Sequence, residues 1–306
     1  MDLVASTYYT HRFEIAFLRA NGTEFQGLFS RIMQGGHKGD FIAVTPYGKD
    51  GDLKCDGWMK STKTVFQVYA PSEMKQAKLL TKIRTDFDGA KDHWKAEMLG
   101  WTFVHNARNG LPPYAVKLLE SIEEENTHLH IGIWGEAELR AKVFQLEAPD
   151  LLSLFGAAPT SETFENLEFA TLEPVVEALT RSRPDPFAET RAPSVEKITA
   201  NRLSLARAEL LTIGRRREAL VESYFNSTSS PELGDEIAEE IKVRYRALKA
   251  AHMQPDDIFD RLYIAVGGSD SLPLYRQAAA LAVLSYFFER CDIFEDATST
   301  RGGAVR

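Results

Sequence analysis

Cysteine is nearly absent from this chain of 306 residues: it has two, Cys55 and Cys291, far apart and outside any Cys-x-x-Cys pair. That scarcity argues against a disulfide framework and a thiolate zinc knuckle, and makes a reducing cytoplasm the expected compartment. Long apolar runs are missing too. The longest, Ala278 to Phe288, is broken by Ser285 and falls short of the roughly 20 residues a membrane-spanning helix needs. The opening residues, MDLVASTYYTHRF, lack a basic segment followed by an apolar one, so no signal peptide is expected. Neither GxxxxGK[S/T] nor GxGxxG occurs, and no Lys-Ser/Thr follows Gly267-Gly268, which argues against the common nucleotide-binding loops.

An overall basic excess is also absent, since the formal net charge is −8. The charge is unevenly spread. Residues 1–100 carry 14 Lys and Arg against 12 Asp and Glu, and the remainder carries 22 against 32. A near-neutral first third can still hold nucleic acid through local basic clusters, whereas the acidic remainder suits a protein partner. A chain of this length suggests about two domains, each with its own core.

Hydrophobic spacing divides the chain in the same way. Phe25, Leu28, Phe29, Ile32 and Met33 recur at helical intervals in residues 22–34, with Asn21 or Thr23 as cap and Glu24 in the first turn. Gly35, Gly36 and Gly39 break that helix, and residues 41–48 read as a strand. A strand near Trp58 and another over Val65–Ala70 follow, the latter ended by Pro71. Next come a helix over residues 72–99, a strand at Trp101–His105, a helix at Pro113–Glu125 and a strand at His128–Trp134.

This is an α/β pattern, a central mixed sheet flanked by helices, expected over residues 1–148. Residues 149–194 read as a linker region with a short helix, Pro-rich at 183–194. Residues 195–306 read as an all-α domain with helices over roughly 195–225, 231–253, 255–266 and 273–290. The last is apolar nearly all round and so suits the centre of that domain. The terminal STRGGAVR is expected to be a disordered tail.

Chemistry concentrates between Gly48 and Pro71. Asp52 and Asp56 flank Lys54 in a Gly-rich turn, and Gln67 sits in the apolar strand beyond. A carboxylate on one strand of a hairpin and a polar oxygen on the next can converge on a hard divalent cation, Mg²⁺ or Mn²⁺. A neighbouring lysine can offset charge developing on phosphate. Asp52, Asp56 and Glu24 are the candidate metal ligands, and Asp56, Gln67 and Lys54 the candidate catalytic residues. Lys60, Lys63 and Tyr69 are the candidate nucleic-acid contacts, with Lys75, Lys78 and Lys82 able to extend a phosphate-contacting face.

Each residue also has a plainer reading. Asp50-Gly51 and Asp56-Gly57 suit hairpin turns, Gln67 suits a core amide with satisfied hydrogen bonds, and Glu24 favours any helix dipole. The lysines suit a solvated face. His105-Asn106 ends a buried strand, where a structural role is favoured over that of a general base. As a turn carboxylate, Asp56 is expected to be exposed and to contribute little stability.

The order of a helix carrying Glu, an acidic hairpin and a strand carrying Gln resembles the restriction-endonuclease-like, PD-(D/E)xK, fold in its Mrr-like branch. Members of that branch show a Gly-x-Asp turn followed by Gln-x-Lys. Cys55-Asp56-Gly57 and Phe66-Gln67-Val68-Tyr69 occupy those places. Residues 51–57 and 66–71 are also similar to the nuclease components of bacterial ABC three-component conflict systems. So are Phe103-Val104-His105-Asn106, with Gly110-Leu111-Pro112-Pro113, and residues 286–295.

The resemblance implies a metal-dependent nuclease effector of an anti-phage complex, acting on DNA, with RNA as the alternative. It also implies as partners an SMC- or RecF-type ABC ATPase and a third small subunit, docked through the C-terminal helical domain. Tyr69 stands where Mrr-like enzymes carry their lysine. Two outcomes stay open: a migrated lysine, best supplied by Lys54, or a nuclease fold kept for binding alone.

Overall fold

The computed structural model describes residues 2–44, 53–95, 97–180, 201–228, 230, 232–269 and 271–290. Asp52, the Pro-rich stretch 183–194, Cys291 with the segment 291–295, and the tail 299–306 lie outside the described residues. The chain divides into two compact units, one of residues 12–156 and the other of residues 1–11 with 157–306.

The sheet unit carries five strands: β1 (Phe41–Ala43), β2 (Gly57–Met59), β3 (Thr64–Tyr69), β4 (Gly100–His105) and β5 (His130–Trp134). They lie in the sheet in sequence order. β1, β2 and β3 form an antiparallel meander, with Phe41 opposite Met59 and Gly57 opposite Phe66. β3, β4 and β5 are parallel, placing Gln67 beside Phe103 and Tyr69 beside His105. Parallel neighbours need crossovers, and helices supply them here. α3 (Gln76–Trp94) joins β3 to β4, and α4 (Pro113–Glu125) joins β4 to β5. Every residue of β4 is buried, as expected of a central strand covered on both faces.

Helix α1 (Leu3–Arg19) precedes α2 (Thr23–Gly36). The expected apolar stripe of α2, Phe25 to Met33, is buried. Phe29 packs against Phe41 and Phe66, with ring centroids 5.6 and 5.5 Å away. Gly57 allows the approach of Phe41, whose ring would meet any β-carbon placed there. On another layer, Val65, Trp101 and Phe103 join Leu79, Ile83 and Phe87 of α3 and Leu119 and Ile122 of α4 in one buried cluster. Two further helices, α5 (Glu136–Val143) and α6 (Ala148–Phe155), complete this unit. Of the strand expected over 41–48, β1 accounts for residues 41–43, and residues 45–48 lie outside the described residues.

Among the described residues from 157 onward there are only helices: α7 (Ser161–Glu165), α8 (Phe169–Thr180), α9 (Leu205–Arg215), α10 (Glu218–Ser227), α11 (Leu233–Ala250), α12 (Pro255–Ala265) and α13 (Leu274–Arg290). α13 is the buried centre, with Ala278 through Phe288 nearly inaccessible. The helical block expected over 195–225 holds two helices, broken at Arg216 and Arg217, and its residues 195–200 lie outside the described residues. A buried charge cluster also holds this unit. Asp260 of α12 meets His11 Nε2 at 2.7 Å and Arg207 of α9 at 3.0 Å. Burial raises the Asp260 pKa, but the hydrogen bonds and electrostatic attraction of His11 and Arg207 outweigh it and hold the carboxyl below its usual range. Among the described residues no helix is long and apolar enough to cross a membrane.

Candidate active site

Asp56 sits between a tight turn and β2. Leu53 and Lys54 in that turn both adopt positive φ, 50° and 57°, a conformation that L side chains reach only at a cost. The backbone of Asp56 extends the ladder, donating to the Phe66 carbonyl at 2.8 Å and accepting from the Val44 N–H at 3.2 Å. Its side chain is therefore fixed in direction before any side-chain contact is made.

That side chain is 5 % exposed, contrary to the expectation of an exposed turn carboxylate. The turn folds back under α2 and against β3, and both carboxylate oxygens accept from the protein. Oδ1 accepts from Gln26 Nε2 at 2.6 Å. Oδ2 accepts from Gln67 Nε2 at 2.7 Å and from the Val68 N–H at 2.6 Å. An ionised carboxylate is acceptor-only, so three N–H donors suit the charged form.

Gln67, 3 % exposed, spends its amide nitrogen on Asp56. Its Oε1 is buried and has no hydrogen-bond partner among the described residues. An orphaned amide oxygen beside a buried carboxylate is an incomplete set of oxygen ligands. That donor chemistry fits a hard divalent cation. Among the described residues no group of three or more His, Cys, Asp or Glu could hold a metal. Asp56 and Gln67 are the oxygen donors that could serve such a cation, water or substrate oxygens having to supply the rest, and three N–H donors already occupy the Asp56 carboxylate.

Gln26 was not singled out by sequence reasoning. It lies two positions after Glu24 on α2, and residues i and i+2 of a helix point to different sides. The structure turns Gln26 toward Asp56 and leaves Glu24 exposed beside Arg19 and Arg31. No local pattern in the sequence announces it, because the contact depends on how α2 packs over the turn.

Lys54 reaches α3, where its Nζ lies 3.3 Å from Asp86 Oδ1. Lys82 holds the other oxygen of Asp86 at 2.7 Å, and Asp86 is fully buried. Gly89 makes room for the lysine stem, since a β-carbon there would lie 2.6 Å from Lys54 Cγ. Lys54, Lys78 and Lys82 line a cavity of about 470 Å³ together with Tyr69. Period-two alternation puts Tyr69 on the same face of β3 as Gln67, and its ring lies 6.2 Å from that of Phe103. Lys60 and Lys63 are exposed in the β2–β3 turn. They sit at the opposite end of β3 from Tyr69, and a six-residue strand spans roughly 20 Å. The structure therefore groups Lys54, Lys78, Lys82 and Tyr69, and leaves Lys60 and Lys63 apart from them. Lys75 pairs with Glu73 on the surface at 3.0 Å.

Residues 170–295 match the family described as C-terminal domain 10 of the ABC-three component (ABC-3C) systems. The match lies within the helical unit and does not extend to Asp56 or the sheet. No curated protein and no solved structure matches the chain.

Proposed function

We propose that this chain is the metal-dependent nuclease effector of an ABC-three component anti-phage system, with DNA as its substrate. The observation that carries the reading is the meeting of Asp56 and Gln67 at 2.7 Å, with Gln67 Oε1 buried and unpartnered among the described residues. Helix, three-stranded antiparallel meander, helix and parallel strand follow in the order expected of a restriction-endonuclease-like domain, which supports it. A bound Mg²⁺ or Mn²⁺ would supply Lewis acidity toward the phosphodiester and a more acidic water.

The rest of the work falls to the chain's own groups. Asp56 and Gln67 would hold the cation by oxygen. Gln26 and the Val68 N–H orient the Asp56 carboxylate. Lys54, held by buried Asp86, offsets charge on phosphate as it develops. Tyr69, Lys78 and Lys82 flank the strand in the groove above.

A second reading has its own support. Both oxygens of Asp56 are already taken by protein donors, and Tyr69 occupies the usual lysine place. On that reading the unit keeps a nuclease-like fold for binding nucleic acid or protein. One assay separates them: cleavage of DNA and RNA with Mg²⁺ or Mn²⁺, with and without the neighbouring gene products. Metal-dependent cleavage abolished by Asp56→Asn and Gln67→Ala is expected. Its absence from the assembled complex under all these conditions would leave the binding role.

A further inference from the structure

The carboxyl ends of the parallel strands β4 and β5 border a cavity of about 370 Å³ within the sheet unit. Ligands of open α/β sheets collect at this end, because helix amino termini open there. Three features of the cavity point to an anion.

α5 begins directly after β5, with Gly135 as its N-cap and no side-chain cap on its first turn. Glu138 Oε2 takes the Gly135 N–H at 2.8 Å, and the first-turn residues Glu136 and Ala137 line the cavity. The first-turn N–H groups other than that of Gly135 stay open to a ligand, at a helix end where Glu136 and Glu138 already place two carboxylates.

His105 lines the same cavity although it is 3 % exposed. Its Nδ1 accepts the Ala107 N–H at 3.2 Å, so the ring proton sits on Nε2. No acceptor for Nε2 is found among the described residues. Gly135 is the residue that admits the imidazole, since a β-carbon there would lie 2.8 Å from His105 Cε1. Arg108 and Arg140 supply the third feature, two guanidinium groups on the cavity wall that balance the carboxylates of Glu136 and Glu138 there, with Arg140 also 4.0 Å from Glu14 Oε1.

We propose that this cavity binds the phosphate of a small phosphorylated ligand through the first-turn N–H groups of α5, His105 Nε2–H and the guanidinium groups of Arg108 and Arg140. Burial holds the His105 pKa down to about 4, so the ring donates a hydrogen bond at neutral pH without adding charge. Glu136 on the wall gives an acceptor for ligand hydroxyls, which suits a nucleotide or sugar phosphate better than a bare anion. The phosphate has two sources, a free nucleotide or the phosphorylated end of a nucleic-acid strand. The site uses none of the groups around Asp56 and stands or falls separately from them.

The test is calorimetric titration of the full chain with inorganic phosphate, AMP, and a short single strand bearing a 5′-phosphate or a 5′-hydroxyl. Saturable AMP binding is expected, weakened roughly 10-fold by Arg140→Gln and by Arg108→Gln, as for loss of a charge-assisted hydrogen bond. Asp56→Asn should leave it in place. Preference for the 5′-phosphorylated strand over both its 5′-hydroxyl counterpart and AMP assigns the site to strand ends, and equal binding of the two strands assigns it to the free ligand. Arg108 lies on an exposed loop, so its variant keeps the fold even where His105→Phe does not. No saturable binding of any phosphate, or AMP binding unchanged in the double Arg108→Gln/Arg140→Gln variant, overturns the proposal.

Discussion

Asp56 shows how a single burial value changes what a substitution means. A carboxylate in a loose turn could be truncated at little cost. This one accepts from Gln26, Gln67 and Val68, and removing it strands three buried or half-buried donors. Each unsatisfied donor costs about 1–3 kcal/mol, so Asp56→Ala should lower unfolding stability by about 3 kcal/mol or more, while Asp56→Asn should cost less. Urea denaturation of both variants checks this, and an Asp56→Ala midpoint equal to wild type would show that the hydrogen bonds are not those described. His105 makes a separate, pH-dependent prediction. Its folded pKa of about 4 lies below the ordinary 6.5, so the unfolded chain takes up the proton first as pH falls. The stabilisation is complete above pH 6.5 and is lost progressively down to about pH 4, by about 3 kcal/mol. His105→Gln should flatten the stability–pH curve in that window, and an unchanged slope would place the titration elsewhere.

Elements whose apolar residues repeat at a clean interval were legible; those made by partners distant in sequence were not. The stripe of α2, the β-branched and aromatic run of β3 and the nearly all-apolar α13 each carry their period in a few consecutive residues. α1 carries a weaker signal: Val4, Tyr8, Phe13 and Phe17, all buried, recur at intervals near four, but Thr, His and Arg residues interrupt the stripe. Two of those, His11 and Arg12, are themselves buried by partners no local pattern announces: Asp260 for His11, and the carbonyls of Phe155 and Gly156 for Arg12. The site divides likewise. Asp56 and Gln67 were readable from the hairpin, whereas Gln26 needed the packing of α2 over the turn. Packing also reverses a common expectation at Gly214 in α9. Gly to Ala inside a helix ordinarily gains about 1 kcal/mol, yet a β-carbon here would lie 2.7 Å from the Leu281 carbonyl of α13 and 2.8 Å from Ser285 Cβ. Gly214→Ala should therefore destabilise the protein by about 1–3 kcal/mol, the usual cost of overpacking. A raised melting temperature in this variant would mean that α9 and α13 do not approach so closely.

At the scale of the whole chain, charge and similarity fall unevenly on the two units. The family match and most of the negative charge fall in the C-terminal part, while the Asp56 site lies in the sheet unit. A component of a multi-subunit system needs a surface for its partners, and a buried α13 cannot be one, since Tyr286, Phe287 and Phe288 are spent on the unit's own core. Docking must then use residues that remain outside. Leu205 and Val243, 75 % and 47 % exposed, are apolar side chains of the helical unit left in water. Ile42 and Leu99, 47 % and 55 % exposed, are their counterparts in the sheet unit. If the helical unit carries the partner-binding role, Leu205→Glu together with Val243→Glu should reduce co-purification with the other components, with roughly unchanged stability because neither residue is core. Ile42→Glu with Leu99→Glu should not reduce it. Loss of the complex with the second pair and not the first would move the docking surface to the sheet unit, and would separate the function of the C-terminal helices from assembly.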